Sequence, residues 1–239
     1  MGLETAEPRT TASMLAATIQ SDIINGSLYP NAHLRIKDLC VRYRSGPIPI
    51  REALSRLISS GFVIAKAQKG FFVAGVSLSE LVDITETRIY VECEALRRSI
   101  KSGNLGWEEK LVSIHHRLNK TPIYAEGGSG FTNEWEQIHS HFHEVLISGC
   151  DSESLLDVSK TLRNRTARYR QLSASSKAIS EASEANTKSN RYETERDVTG
   201  EHLRIVEATL EHDSKRATHL LAEHYRRTVQ LVLRWTQTS

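Results

Sequence analysis

Four of the ten histidines in this 239-residue chain sit at helical spacings that turn them toward an apolar interior. In the run Trp135-Glu136-Gln137-Ile138-His139-Ser140-His141-Phe142-His143, His139 and His143 are four apart and share a face bordered by Trp135, Phe142 and Leu146. His141 faces the other way. Further on, His202 precedes the stripe Leu203, Val206, Leu210, and His224 continues Ala217, Leu220, Leu221 toward Thr228 and Leu231. Four inward imidazoles on three helices could close on one divalent transition metal ion, and nitrogen ligands suit zinc or nickel better than magnesium or calcium. Each could instead be a hydrogen-bonded core residue. Spacing alone leaves both readings open. Arg88 adds a charge to the same interior, because Leu81, Ile84, Arg88, Val91 and Ala95 follow one another at alternating steps of three and four. An arginine facing a core needs an anion, either a carboxylate of the protein, for instance on a neighbouring helix, or a bound acid.

A second constellation lies nearer the N-terminus and suits a different partner. Pro49 belongs in the first turn of a helix, where its missing N–H costs nothing, and Ile50, Ala53, Leu54, Leu57 and Ile58 then recur as one apolar stripe. The opposite face carries Arg51, Ser55 and Arg56. Upstream, Ile36, Leu39, Cys40 and Tyr43 form a shorter stripe, separated from the first by Ser45-Gly46-Pro47. That is helix, tight turn, helix. Downstream, two β-branched and aromatic runs meet at Lys66-Ala67-Gln68-Lys69-Gly70, where glycine permits a hairpin end. A helix presented in this way enters the major groove of DNA with its N-terminal side chains at base edges. Arg51 can fork onto guanine O6 and N7, while Lys37, Arg42, Arg44, Lys66 and Lys69 suit phosphate oxygens.

These stretches carry a resemblance. Leu34-Arg35-Ile36 with Leu39, Pro49-Ile50-Arg51-Glu52-Ala53-Leu54, Arg56-Leu57, Gly61 and Gly70-Phe71-Phe72-Val73-Ala74 resemble the winged helix-turn-helix of the GntR family of bacterial transcription regulators, over about residues 12–76. Gly46 and Pro47 depart from the family's pattern in the turn. Glu86-Thr87-Arg88 with Glu92, Phe142-His143, Glu201-His202 and Ala217 with Leu220 and His224 are similar to the FCD ligand-binding domain of the FadR subfamily, over residues 79–235. Trp135-Glu136, His139, Gly149-Cys150, Arg168-Tyr169-Arg170 and His224-Tyr225 are similar to its carbon-starvation regulator branch.

The resemblance implies a mainly α chain: a winged helix-turn-helix over residues 9–76, then an antiparallel all-helical bundle over 77–239 that binds effector and metal and dimerises. It implies double-stranded operator DNA as partner, with Arg35, Lys37, Ile48, Arg51, Ser55, Arg56, Lys69 and Gly70 facing it. It implies His143, His202 and His224 as metal ligands; in many such domains an aspartate is the fourth, and here that position is His139. Small organic acids are the ligands such domains take. Arg88 matches the arginine commonly used for the carboxylate, and Arg168 is assigned to it as well.

Composition agrees with two differently charged parts. Residues 1–76 hold 9 Lys+Arg and 5 Asp+Glu, a net +4, whereas the remainder holds 22 and 24, a net −2. The basic part is the one with the helix-turn-helix. Cys40, Cys93 and Cys150 are an odd number without paired spacing, as expected of reduced, buried thiols in a cytoplasmic protein. Met1 to Ser13 lacks the apolar core of a signal peptide, and no segment reaches the ~18 apolar residues of a membrane span. Gly103 to Leu105 and Pro122 to Gly130 read as helix breaks, and Ser173 to Asn190 as a polar connector that could carry a frayed helix.

The leading reading is therefore a homodimeric, ligand-responsive repressor on a pseudo-palindromic operator. A metal-dependent hydrolase built on the histidines is the alternative. It lacks a His-Glu-x-x-His motif, a nucleophile elbow and a phosphate loop.

Overall fold

The computed structural model describes residues 10–124, 131–183 and 196–237. Two compact units meet at Val76–Ser77. The first begins with α1 (Thr11–Ile24), whose N-cap Thr10 accepts from the Ser13 N–H. Strand β1 (His33–Leu34), α2 (Ile36–Arg42), α3 (Pro47–Ser59), β2 (Val63–Lys66) and β3 (Gly70–Val73) follow. All three strands pair antiparallel in the order β1-β3-β2, with His33 opposite Phe72 and Val63 opposite Val73. Ile19 of α1, Ile50 and Leu54 of α3, and Phe62 are wholly buried together, so the sheet and three helices share one core.

Helix α3 starts two residues earlier than the Pro49 signal suggests. Gly46 is its N-cap, and Pro47 and Pro49 both occupy the first turn, where absent N–H groups leave nothing unsatisfied. Ile50, Ala53, Leu54 and Leu57 are buried as the periodicity predicts, but Ile58 is exposed at the edge of the stripe. Strand β1 has only two residues, too few to show an alternation in the sequence.

The second unit is helical apart from short connections among its described residues. It comprises α4 (Leu78–Ser102), α5 (Leu105–Lys120), α6 (Asn133–Ile147), a 3-10 turn at Ser148–Cys150, α7 (Glu153–Ser183), α8 (Val198–Leu210) and α9 (Ser214–Gln237). Side-chain caps mark the starts: Ser77 for α4, Asn104 for α5, Thr132 for α6 and Asp197 for α8. Trp107 locks α5 to the end of α6 by donating its indole N–H to the Val145 carbonyl at 2.8 Å. The ring lies so close to Gly103 that a Cβ there would come within 2.2 Å of it, which is why the α4–α5 corner takes glycine.

The helix break at Gly103 is present. Of the one at Pro122, residues 125–130 lie outside the described set; the flanks Tyr124 and Phe131 are joined by an antiparallel bridge. The connector expected from Ser173 is helical up to Ser183, continuing α7; residues 184–190 lie outside the described set. Cys150 is buried, whereas Cys40 and Cys93 are only partly so; all three are free thiols. Among the described residues, no helix is long and apolar enough to cross a membrane.

Candidate functional site

In the N-terminal unit the residues expected at DNA are all exposed. Burial of Ile50, Ala53, Leu54 and Leu57 pins α3 against the core and turns Ile48, Arg51 and Ser55 outward on a common face, with Arg56 beside it. Ile48 is 72% exposed, an unusual setting for an isoleucine and one that suits contact with a thymine methyl. Arg35 and Lys37 are exposed at the start of α2. Lys69 and Gly70 are exposed at the tip of the β2–β3 hairpin, which closes through the Lys69 N–H on the Lys66 carbonyl at 3.0 Å. Gly70 has φ +87°, a left-handed setting that favours glycine. Two cations assigned to phosphate have other ties. Arg42 pairs with Asp22 at 2.7 Å, joined there by the Tyr43 hydroxyl, so it fastens α2 to α1. The Lys66 ammonium rests over the Phe72 ring at 4.6 Å and stiffens the wing.

In the helical unit, His139 and His143 of α6, His202 of α8 and His224 of α9 converge. All four are buried, and each offers one ring nitrogen within 4.8 Å of the others. The sequence stripe beginning at Leu203 is displaced: Leu203 is 44% exposed, and Ile205, Val206 and Thr209 continue the buried face of His202. Burial holds the pKa values of His139, His143 and His202 well below the usual imidazole value. For His224, burial lowers it to about 4 even though the Glu201 hydrogen bond opposes the shift. The rings are therefore neutral, with lone pairs available for coordination.

Hydrogen bonds outside the cluster decide which nitrogens face inward. Glu201 is a carboxylate that can only accept, so His224 Nδ1–H donates to it at 2.8 Å and His224 Nε2 is left for the cluster. Arg196 anchors that carboxylate at 2.7 Å. His143 Nδ1 meets the Tyr225 hydroxyl at 3.0 Å, and Tyr225 in turn donates to Glu92. That arrangement makes His143 Nδ1 the donor and leaves its Nε2 inward, 3.2 Å from His139 Nε2. His139 Nδ1 and His202 Nε2 are buried without any hydrogen-bond partner. Buried polar nitrogens without partners are costly, and carboxylate-oriented imidazoles around them are the surroundings a metal ion takes. The donor set thus fits a divalent transition metal.

Arg88 is indeed buried, but its carboxylate partner lies on its own helix. Its Nε donates to Glu92 at 2.7 Å, its Nη1 to Thr166 at 3.3 Å, and its guanidinium covers the Tyr225 ring at 4.0 Å. It also lines a cavity that reaches His139 and His224. Arg168, expected at a ligand, instead grips Glu80 at 3.0 Å and does not line this cavity; its neighbour Arg170, two positions on along α7, does. Sequence reasoning missed the orienting residues Glu92, Glu201, Arg196 and Tyr225. Two signals were available: Glu92 stands four residues after Arg88, and Glu201 and Tyr225 adjoin the histidines.

Each unit matches a known protein family. Residues 11–73 match the bacterial regulatory proteins of the gntR family, and residues 83–227 match the FCD domain. The HTH-type transcriptional regulator BphR of Paraburkholderia xenovorans (strain LB400) is 35% identical over 92% of this chain and 85% of its own length. The HTH-type transcriptional repressor GlaR of Escherichia coli (strain K12) is 31% identical over 86% of this chain and 88% of its own. Among solved structures, E. coli McbR/YncC shares the fold with a TM-score of 0.73, at 18% identity over 94% of this chain and 98% of that one. A GntR regulator from Rhodococcus sp. RHA1 does so with 0.65, at 18% identity over 93% and 97%. The relatives are regulators, not enzymes, and the hydrolase reading finds no support among them. This chain belongs to the GntR family of bacterial regulatory proteins and, with its FCD domain, is a DNA-binding transcriptional regulator.

Proposed function

We propose that the regulator is a homodimeric repressor that reads a pseudo-palindromic operator through Arg51 and releases it when a small carboxylate enters the helical unit. The observation that carries this reading is a cluster of four buried neutral imidazoles, two with partnerless nitrogens, of which His139 and His224 line a cavity that Arg88 also lines. His143, His202 and His224 would hold zinc or nickel, with His139 as fourth ligand. When bound, the ion supplies a positive charge and a coordination position for a carboxylate oxygen. Glu201 and Tyr225 keep the imidazole tautomers correct, and Arg88 presents its guanidinium to the cavity while Glu92 holds it. The name of the E. coli relative, a repressor, supports the direction of control.

Arg51→Ala is expected to remove roughly 1–3 kcal/mol of operator affinity while leaving the fold intact, since the side chain is exposed and outside the core stripe. A gel-shift titration at fixed salt checks it. Equal affinity of the two proteins for the cognate operator would refute base reading by Arg51.

Effector and DNA must oppose each other by the same factor, because coupling between two sites is reciprocal. A coupling of about 1–3 kcal/mol would suffice to empty the operator. Calorimetry of wild-type protein with the acid, with and without operator, is the clean measurement; Arg88→Ala would also strand the Glu92 carboxylate. Identical acid affinity in both titrations would mean that no such switch exists.

A further inference from the structure

Resting on the carboxylate reading of this cavity, we infer that its ligand is a monocarboxylate with a flat apolar body, of the aryl or arylalkyl class. One wall is a ladder of stacked rings. Tyr124 stacks on Phe131 with centroids 5.5 Å apart, Phe131 on Trp135 at 5.0 Å, and Trp135 on His139 at 4.5 Å, with interplanar angles of 23°, 26° and 14°. The ladder starts at Tyr124, which is 48% exposed, and ends on a histidine of the buried cluster. A ligand entering along it keeps aromatic surface beside it until its head reaches the imidazoles. Leu81, Val198, Val229 and Val232 also line the cavity, so a body held there meets apolar side chains among the hydroxyls of Thr85, Thr166 and Thr228.

Charge sets the number of acid groups. Arg88, Arg170 and Arg196 all border the cavity, and each is paired with a glutamate, at 2.7 Å to Glu92, 2.9 Å to Glu136 and 2.7 Å to Glu201. The protein's own charges there cancel in pairs. One carboxylate can be matched by the ion at the histidines. A second carboxylate would meet no unmatched cation, since apart from these paired arginines the lining offers apolar side chains and neutral hydroxyls such as those of Thr85, Thr166 and Thr228, which do not repay the desolvation of a full charge. An aryl group beside Leu81 and the valines gains by burial and by contact with the ring edges of the ladder.

The test uses full-length protein loaded with zinc or nickel, and calorimetry with 3-phenylpropanoate, propanoate, succinate and the neutral 3-phenylpropanol. Phenylpropanoate is expected to bind at least about tenfold more tightly than propanoate or succinate. Tyr124→Ala and Phe131→Ala should each lower phenylpropanoate affinity several-fold more than propanoate affinity, and an equal loss for both acids would overturn the aryl assignment. If propanoate or succinate binds as tightly as phenylpropanoate, the aryl assignment is overturned and the carboxylate reading stands. If phenylpropanol binds as tightly as phenylpropanoate, the carboxylate reading itself fails. Failure of all four to bind overturns both.

Discussion

Glu92→Ala is expected to destabilise the helical unit by about 3–5 kcal/mol, the range for stranding one member of a buried ion pair. Glu92 is 0% exposed, and its carboxylate accepts from Arg88 Nε at 2.7 Å, from Ser159 Oγ at 2.8 Å and from the Tyr225 hydroxyl. Alanine would leave the Arg88 guanidinium buried, with only Thr166 and the face of Tyr225 for company. Denaturant unfolding of the full chain measures the effect, and a loss below about 1 kcal/mol would refute it. Glu94→Ala is the control, because Glu94 pairs with Arg97 and Arg98 at the surface, where ion pairs contribute little.

The acid dependence has a definite sign. Burial alone would raise the Glu92 pKa, but the charges and hydrogen bonds of Arg88, with Arg163 and Tyr225, outweigh it and hold the carboxyl below its ordinary value. A depressed folded pKa gives stability that is complete above the unfolded value and lost as pH falls through the folded one. Wild type should therefore lose more stability on acidification than Glu92→Gln. Because Tyr225 links Glu92 to His143, the same variants should weaken metal binding by about 10–100-fold, the usual effect of losing an orienting partner.

Periodicity made the core legible, and with it the inward histidines and Arg88. A buried stripe at steps of three and four has only one way to face, and the four imidazoles lie on such stripes. Partner identity was less legible. Arg88 could have met an acid on any helix, and only the packed structure selects Glu92 over other carboxylates such as Glu86, which instead pairs with Arg226 at 3.0 Å. The different settings of Arg168 and Arg170 were illegible for a related reason. Both flank Tyr169, and the turn of α7 that sends Arg168 to Glu80 depends on where Leu81, Tyr169, Val229 and Val232 pack together. The wing was visible through Gly70 and its aromatic neighbours, whereas β1 is recognisable only by its pairing with β3.

Removing metal should cost nearly as much stability as removing Glu92. Any ligand that binds only the folded state adds RT ln(1 + [L]/Kd), about 4.1 kcal/mol when free metal exceeds Kd a thousandfold. The imidazoles gain most from it, since His139 Nδ1 and His202 Nε2 are otherwise buried without partners. Protein loaded with zinc or nickel should therefore unfold at markedly higher denaturant than chelated protein, with about one ion per chain. His202→Ala should erase most of the difference, because it removes the only ligand that α8 contributes. Coordination requires neutral imidazoles, so the gap should narrow as pH falls and protons compete for the same nitrogens. Coincident unfolding curves of loaded and chelated protein, with no metal retained by a folded chain, would assign the four histidines to the core alone. If the gap appears, it bears on the ligand as well: four neutral rings leave the ion's charge uncancelled within a cavity whose arginines are already paired, so an anion is the species drawn to it.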